Sequence, residues 1–148
     1  MSKKFEDVPC SRKSVMNMIA ESKDLQGLDL RKADLSNMDF TGCNLKNANL
    51  SYCDLKNAIF FGADLKGASM WSANLEQANF VSANLQDADL DYARLKGAIF
   101  YQANLKRTTL PEELMSREDI LDSVANGSRV GIPKHQKGKK NLRYRATL

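Results

Sequence analysis

The amino-acid sequence predicts an all-β solenoid, a chain wound into a four-sided coil of about 20 residues per turn. Three features of its 148 residues carry that prediction: a large apolar residue at every fifth position, a small residue two places before it, and a phenylalanine at every twentieth.

The five-residue period runs from Leu25, Leu30, Leu35 and Phe40 through Met70 to Leu105 and Leu110, eighteen pentads in succession without a slip. The small residue is alanine in most pentads, from Ala33 to Ala103, with Cys43, Cys53 and Thr108 in three others. Between the two lies Asp or Asn in most pentads, as in Asp34, Asn49, Asp64, Asn84 and Asn104. Five residues of α-helix advance about 500°, so successive leucines would drift by about 140° and share no face. A straight strand fails too, because an odd period sends alternate leucines to opposite sides. A short extended piece with a turn in every pentad satisfies both constraints. The small and large residues, two apart, then share one inward face.

Phenylalanine sets the length of a turn. Phe40, Phe60, Phe80 and Phe100 recur every 20 residues, so four pentads bring the same side of the coil round again. Leu25, Leu45, Leu65, Leu85 and Leu105 form a second column, Leu30, Leu50, Met70, Leu90 and Leu110 a third, and Leu35, Leu55, Leu75 and Leu95 the last. In the doublets Phe60–Phe61 and Phe100–Tyr101 the first ring points inward and the second outward.

The unit A-(D/N)-L-x-x over residues 23–112 resembles the pentapeptide repeat family. That resemblance implies a right-handed quadrilateral β-helix, here of about 4.5 coils and ~22 Å long at ordinary strand spacing. The sequence departs from the pattern mostly at its start. Lys23, Leu28 and Met38 replace the small inward residue, which predicts a wider or partly irregular first coil. Ile59, Ser69, Arg94 and Ile99 take the Asp/Asn place; Arg94 and the two isoleucines are expected to alter the surface rather than the tube.

Both ends of a solenoid carry unpaired backbone and need lids. Residues 1–22 form an N-terminal segment in which Val15, Met18 and Ile19 fall at helical spacing, with Ser11 or Ser14 as N-cap. Residues 113–130 predict a second helical cap, following Pro111 and ending at Gly127, with Glu112 and Glu113 in its first turn and Leu114, Met115, Ile120, Leu121 and Val124 as the covering residues. Residues 131–148 read as a flexible basic tail carrying Lys134, Lys137, Lys139, Lys140, Arg143 and Arg145.

Charge is divided along the same boundaries. The net charge of +4 splits into +1 over residues 1–22, −1 over 23–112 and +4 over 113–148. A mean hydropathy of −0.46, with no long apolar run and no signal-peptide core at the start, leads to the expectation of a cytoplasmic protein with no membrane partner. Three cysteines without paired spacing, and a single histidine, His135, lead to no metal and no other cofactor. The Asp/Asn ladder is explained by turns, and no nucleophile has a base beside it, so the sequence points away from an enzyme and a small-molecule substrate.

The outward positions leave surfaces for contact. One stripe beside the phenylalanine column is Thr41, Phe61, Val81 and Tyr101; a second side carries Tyr52, Trp71 and Tyr92; a third is basic, with Lys46, Lys66 and Lys106. Contiguous exposed aromatics favour a non-enzymatic module that meets a protein partner or a second copy of itself. Some members of the family resemble B-DNA in size and negative charge and protect DNA gyrase or topoisomerase from quinolones or toxins, and that is the alternative the resemblance implies. The near-neutral repeat disfavours it. Weak nucleic-acid binding through the basic tail is a second alternative.

Overall fold

The computed structural model describes residues 10–111 and 117–131. Its coil is built from one hydrogen-bonding rule. The Leu25 N–H donates to the Asn44 carbonyl and the Asn44 N–H to the Lys23 carbonyl, both at 2.8 Å, and the same pair of offsets recurs around and up the coil. Among the described residues fourteen parallel bridges result, from Asp24–Asn44 to Asp89–Thr109, and every one joins residues twenty apart. The predicted turn of twenty residues with four sides is therefore the pairing register of the chain. The first coil pairs like the others, with Asp24, Asp29, Asp34 and Asp39 all bridged to the coil above, and Met38 is buried within it. The irregular first coil expected from Lys23, Leu28 and Met38 does not occur; Leu28 is only partly buried, and the tube accommodates the larger side chains at its end.

Each side ends in a tight turn. The Cys43 N–H returns to the Phe40 carbonyl at 3.0 Å and the Ala63 N–H to that of Phe60 at 3.1 Å. The third turn residue has positive φ in all seventeen pentads from Gly27 to Arg107, with values from 54° to 78°. That conformation marks a type II turn, for which glycine or asparagine is the favoured residue. Only five of these positions hold glycine, so twelve side-chain-bearing residues are held left-handed by the ladder around them.

The Asp/Asn place has its own task. Asp54 Oδ1 accepts from the Lys56 N–H and Asn84 Oδ1 from the Gln86 N–H, at 3.1 and 3.2 Å, closing the turn two residues on. Asparagine also reaches down one coil, as Asn74 Nδ2 does to Asp54 Oδ1 at 3.2 Å. These are local backbone bonds that short polar side chains make in place of solvent.

Inside, the four leucine, methionine and phenylalanine columns are buried through the middle of the coil, with the small residues beside them. Helix α1 (Arg12–Glu21) closes the N-terminal end: Ser11 caps it by accepting from the Ser14 N–H, Val15 is fully buried, and Met18 and Ile19 pack on the core.

Helix α2 is described over Arg117–Asn126, with Glu118 and Asp119 in its first turn. The expected start at Pro111, with Glu112, Glu113, Leu114 and Met115, falls mostly outside the described residues. Ile120 is buried and Val124 packs on the core, but Leu121 is 54% exposed, because it lies on the opposite face of the helix. Gly127, at φ 74°, ends the helix, its N–H donating to the Ser123 carbonyl. The end of α2 and the residues up to Val130 take the place of a further coil: the Gly97 N–H donates to the Val130 carbonyl, the Val130 N–H to the Ala98 carbonyl, and the Gln102 N–H to the Val124 carbonyl. The Phe100 N–H donates to Ser123 Oγ at 2.9 Å. Ile99 is buried at this end instead of altering the surface.

Candidate interaction surface

The four corners of the coil display different chemistry because the turns align their outward residues one above another. The corner after the Leu30 column presents Arg31 and Lys32, then Ser51 and Tyr52, then Trp71 and Ser72, then Asp91 and Tyr92. Tyr52 and Trp71 meet edge to face, centroids 5.1 Å apart, and Trp71 and Tyr92 do the same at 5.4 Å. Ser72 separates the two tyrosines in their shared column, and the Trp71 ring lies between them. Tyr52 is 52% exposed and Tyr92 57%, while Trp71 is half-buried between them. The three rings form one ladder along the coil axis on a rigid backbone. Edge-to-face contact adds about 0.5–1.5 kcal/mol per pair, which holds the rings in place while leaving surface free.

The corner after the phenylalanine column differs from its sequence reading. Phe61 is 45% exposed and Thr41 half-buried, but Val81 is only 5% exposed, so the stripe Thr41, Phe61, Val81, Tyr101 is interrupted at its third step. The reason is local: Val81 is the smallest apolar residue of the stripe and stands between two larger rings. Tyr101 is partly covered as well, since Gly127 lies against it so closely that an added Cβ would sit 3.6 Å from its ring. Ile59, 37% exposed, stands two residues before Phe61, and the signal for it was present in the sequence as isoleucine at an Asp/Asn place.

The lysine corner is laced with carboxylates. Lys46 pairs with Asp64 at 3.5 Å, and Arg107 grips Asp87 with two bonds of 2.5 and 2.9 Å. The Arg107 guanidinium holds the Asp87 carboxyl below its ordinary range. Arg31 does the same to Asp29 at the base of the aromatic corner, and Arg94 pairs with Glu76 on the next side. The tail residues Lys134, Lys137, Lys139, Lys140, Arg143 and Arg145 lie outside the described residues.

Cys43 and Cys53 sit inside the tube, where burial pushes both thiols up, Cys53 to about 11. Among the described residues no group of three or more His, Cys, Asp or Glu side chains is placed to share a metal ion. No helix among them is long and apolar enough to cross a membrane.

Comparison with known proteins agrees with the register. The sequence profile of pentapeptide repeats matches eight copies over residues 24–60, 58–96 and 78–112. No curated protein sequence matches the chain. Among solved structures, it is similar to HetL, a pentapeptide repeat protein involved in heterocyst differentiation regulation from the cyanobacterium Nostoc sp. strain PCC 7120, at 40% identity and TM-score 0.59. That match covers 60% of this chain and 41% of HetL, so the chain spans about two fifths of that relative. A pentapeptide repeat protein of the Arabidopsis thaliana thylakoid lumen matches at 25% identity and TM-score 0.44, over 75% of this chain and 72% of its own. QnrB1, a plasmid-mediated fluoroquinolone resistance protein, matches at 19% identity and TM-score 0.33, over 81% and 66%.

Proposed function

The chain belongs to the pentapeptide repeat family, and from that premise we infer that it is a non-enzymatic scaffold whose aromatic corner makes contact with another protein or a second copy of itself. In this reading the chain is a capping segment (1–22), a right-handed coil of about 4.5 turns (23–112), a second cap (113–130) and a basic tail (131–148). The observation that carries it is the Tyr52–Trp71–Tyr92 ladder. Two of its rings are more than half exposed, and rigid amphipathic aromatics lose little side-chain entropy when they bind. Thr41, Ile59, Phe61 and Tyr101 offer a smaller second surface, with Val81 beneath it.

Protection of a topoisomerase by DNA mimicry finds less support, because residues 23–112 hold ten basic and eleven acidic side chains and mimicry needs an acidic surface.

Light scattering over a range of concentrations, on the native chain and on Tyr52→Ser/Trp71→Ser/Tyr92→Ser and Phe61→Ser forms, tests self-association. A mass above one chain that falls in the triple variant is the expected result. If every form has the mass of one chain, the partner is another protein, and cross-linked proteins should differ between native and triple-variant chains. An identical set in both would end the reading.

A further inference from the structure

The aromatic corner is not chemically neutral. Positions eighteen apart touch across neighbouring coils, as Ser51 and Ser69 do at 2.8 Å, Lys46 and Asp64 at 3.5 Å, and Glu76 and Arg94. The same relation sets Asp89 beside Trp71. Asp91 stands one coil above Trp71 in its own column, and Asp54 lies two residues beyond Tyr52 on the adjoining side. Asp54 Oδ1 accepts from the Lys56 N–H and Asn74 Nδ2, Asp89 Oδ1 from the Asp91 N–H, and Asp91 Oδ1 from the Tyr92 N–H. Among the described residues no basic side chain forms an ion pair with any of these three, whereas Asp29, Asp64, Glu76 and Asp87 are all paired. The one lysine of this corner, Lys32, stands a full coil below Tyr52.

Exposed aromatic faces beside carboxylates without counter-ions select a Lys- or Arg-bearing segment, by cation–π attraction and by charge. Such a segment is tethered within reach. The described chain ends at Gly131, directly after the Val130 backbone that pairs with Gly97 and Ala98. Gly97 is one side of the coil from Tyr92, five residues or at most ~17 Å of extended chain, while the 17 residues beyond Gly131 can span more than ~50 Å. Six of those residues are Lys or Arg.

We propose that the C-terminal segment 132–148 docks in cis on the Tyr52–Trp71–Tyr92 ladder, its basic side chains facing Asp54, Asp89 and Asp91. The proposal rests on the reading of that corner as a contact surface and adds its chemical preference. Tethering in one chain supplies an effective concentration in the mM range, so even a contact of mM affinity is populated.

Trp71 is the sole tryptophan, so its fluorescence reports on this corner alone. Acrylamide quenching is measured on the full chain, on the full chain with Lys134, Lys137, Lys139, Lys140, Arg143 and Arg145 changed to Gln, and on Asp89→Asn/Asp91→Asn. The Asn forms keep the turn-closing acceptor, so the coil is retained, which circular dichroism checks. In low salt the quenching constant of the native chain should be about twofold below that of both variants, and the difference should vanish near 0.5 M salt, where charges are screened. Equal quenching in all forms overturns the proposal. Protection that grows with protein concentration also overturns it, by assigning the tail to a second copy. If the ring variants lose association while tail variants leave quenching unchanged, the scaffold reading stands and this one falls; tail-dependent quenching without any ring-dependent association gives the reverse.

Discussion

Phe60 and Phe80 lie face to face, ring centroids 4.9 Å apart and planes within 4° of parallel. Their neighbours Phe40 and Phe100 continue the stack at 5.0 Å. That interval is close to the spacing of paired strands, so the backbone ladder, not ring–ring attraction, dictates it. Phe80→Ala opens a void between two rings that cannot close without shifting the ladder. It should cost about 3–5 kcal/mol in urea unfolding, and Phe80→Leu markedly less, since leucine fills the equivalent place in the other columns. Equal losses for the two would show that the column is not close-packed.

The turns carry a separate cost. Gly62 has φ +62°, and a Cβ built there meets nothing within 4 Å, so any penalty for a side chain is one of conformation alone. Gly62→Ala should lower stability by about 1–2 kcal/mol, and Gly62→Asn by less, because asparagine tolerates the left-handed region. Urea midpoints on the three forms decide this; an unchanged Gly62→Ala would mean that the ladder absorbs the strain.

The columns and the twenty-residue turn were legible because burial repeats: each inward leucine faces the same environment, and the period records it. The left-handed turn residue was less legible, since Tyr52, Tyr92 and Arg107 occupy it as Gly62 does. Cooperative pairing on both sides overrides local preference there. Burial of Val81 was illegible for another reason, that outward register does not settle exposure when rings above and below are larger. Of the candidate surface, the sequence placed Tyr52, Trp71 and Tyr92 on one side, but their edge-to-face contacts depend on offsets of 19 and 21 residues that the columns alone do not reveal. Replacement of the missing coil by Ser123, Val124 and Val130 breaks the period altogether and left no repeat to read.

That replacement is open to test at Ser123, fully buried with its hydroxyl accepting from the Phe100 N–H. Ser123→Ala strands a buried donor, which costs about 1–3 kcal/mol. Hydrogen exchange should show the Phe100 amide losing protection, with Gly97 and Gln102 next as the segment loosens, while Phe60 is unaffected. Uniform loss along the coil would mean that the segment is not a separate cap.

Acid sensitivity arises from the turn carboxylates. The Asp39 carboxyl lies below its ordinary range because the Thr41 side chain and then the Thr41 N–H donate to it; Asp34 is lowered by the Ser36 hydroxyl and then its N–H. A carboxylate depressed on folding stabilises fully above its unfolded pKa of about 3.9 and loses that contribution as pH falls through the folded value. Urea midpoints should therefore be level above about pH 5 and fall below about pH 4. Asp34→Asn/Asp39→Asn keeps the turn acceptors without the titration, so its midpoint should fall less steeply. Parallel decline in both forms would sink the assignment.

The thiols should separate by place in the coil. Cys53 is buried, donates its S–H to the Leu30 carbonyl at 2.8 Å, and has its pKa pushed up to about 11, chiefly by burial. Near pH 7 only about one Cys53 in 10⁴ is then a thiolate, the form that reacts. Cys43 is likewise buried, while Cys10, ahead of α1, is only partly so. Ellman's reagent at neutral pH should therefore titrate one thiol promptly, removed by Cys10→Ser, and reach the other two only at the rate of unfolding. Adding urea below the transition should leave that division intact, since the inner thiols are shielded by the same ladder that the Phe80 and Gly62 variants weaken. Three thiols reacting together in the native chain would contradict the inward register of Cys43 and Cys53.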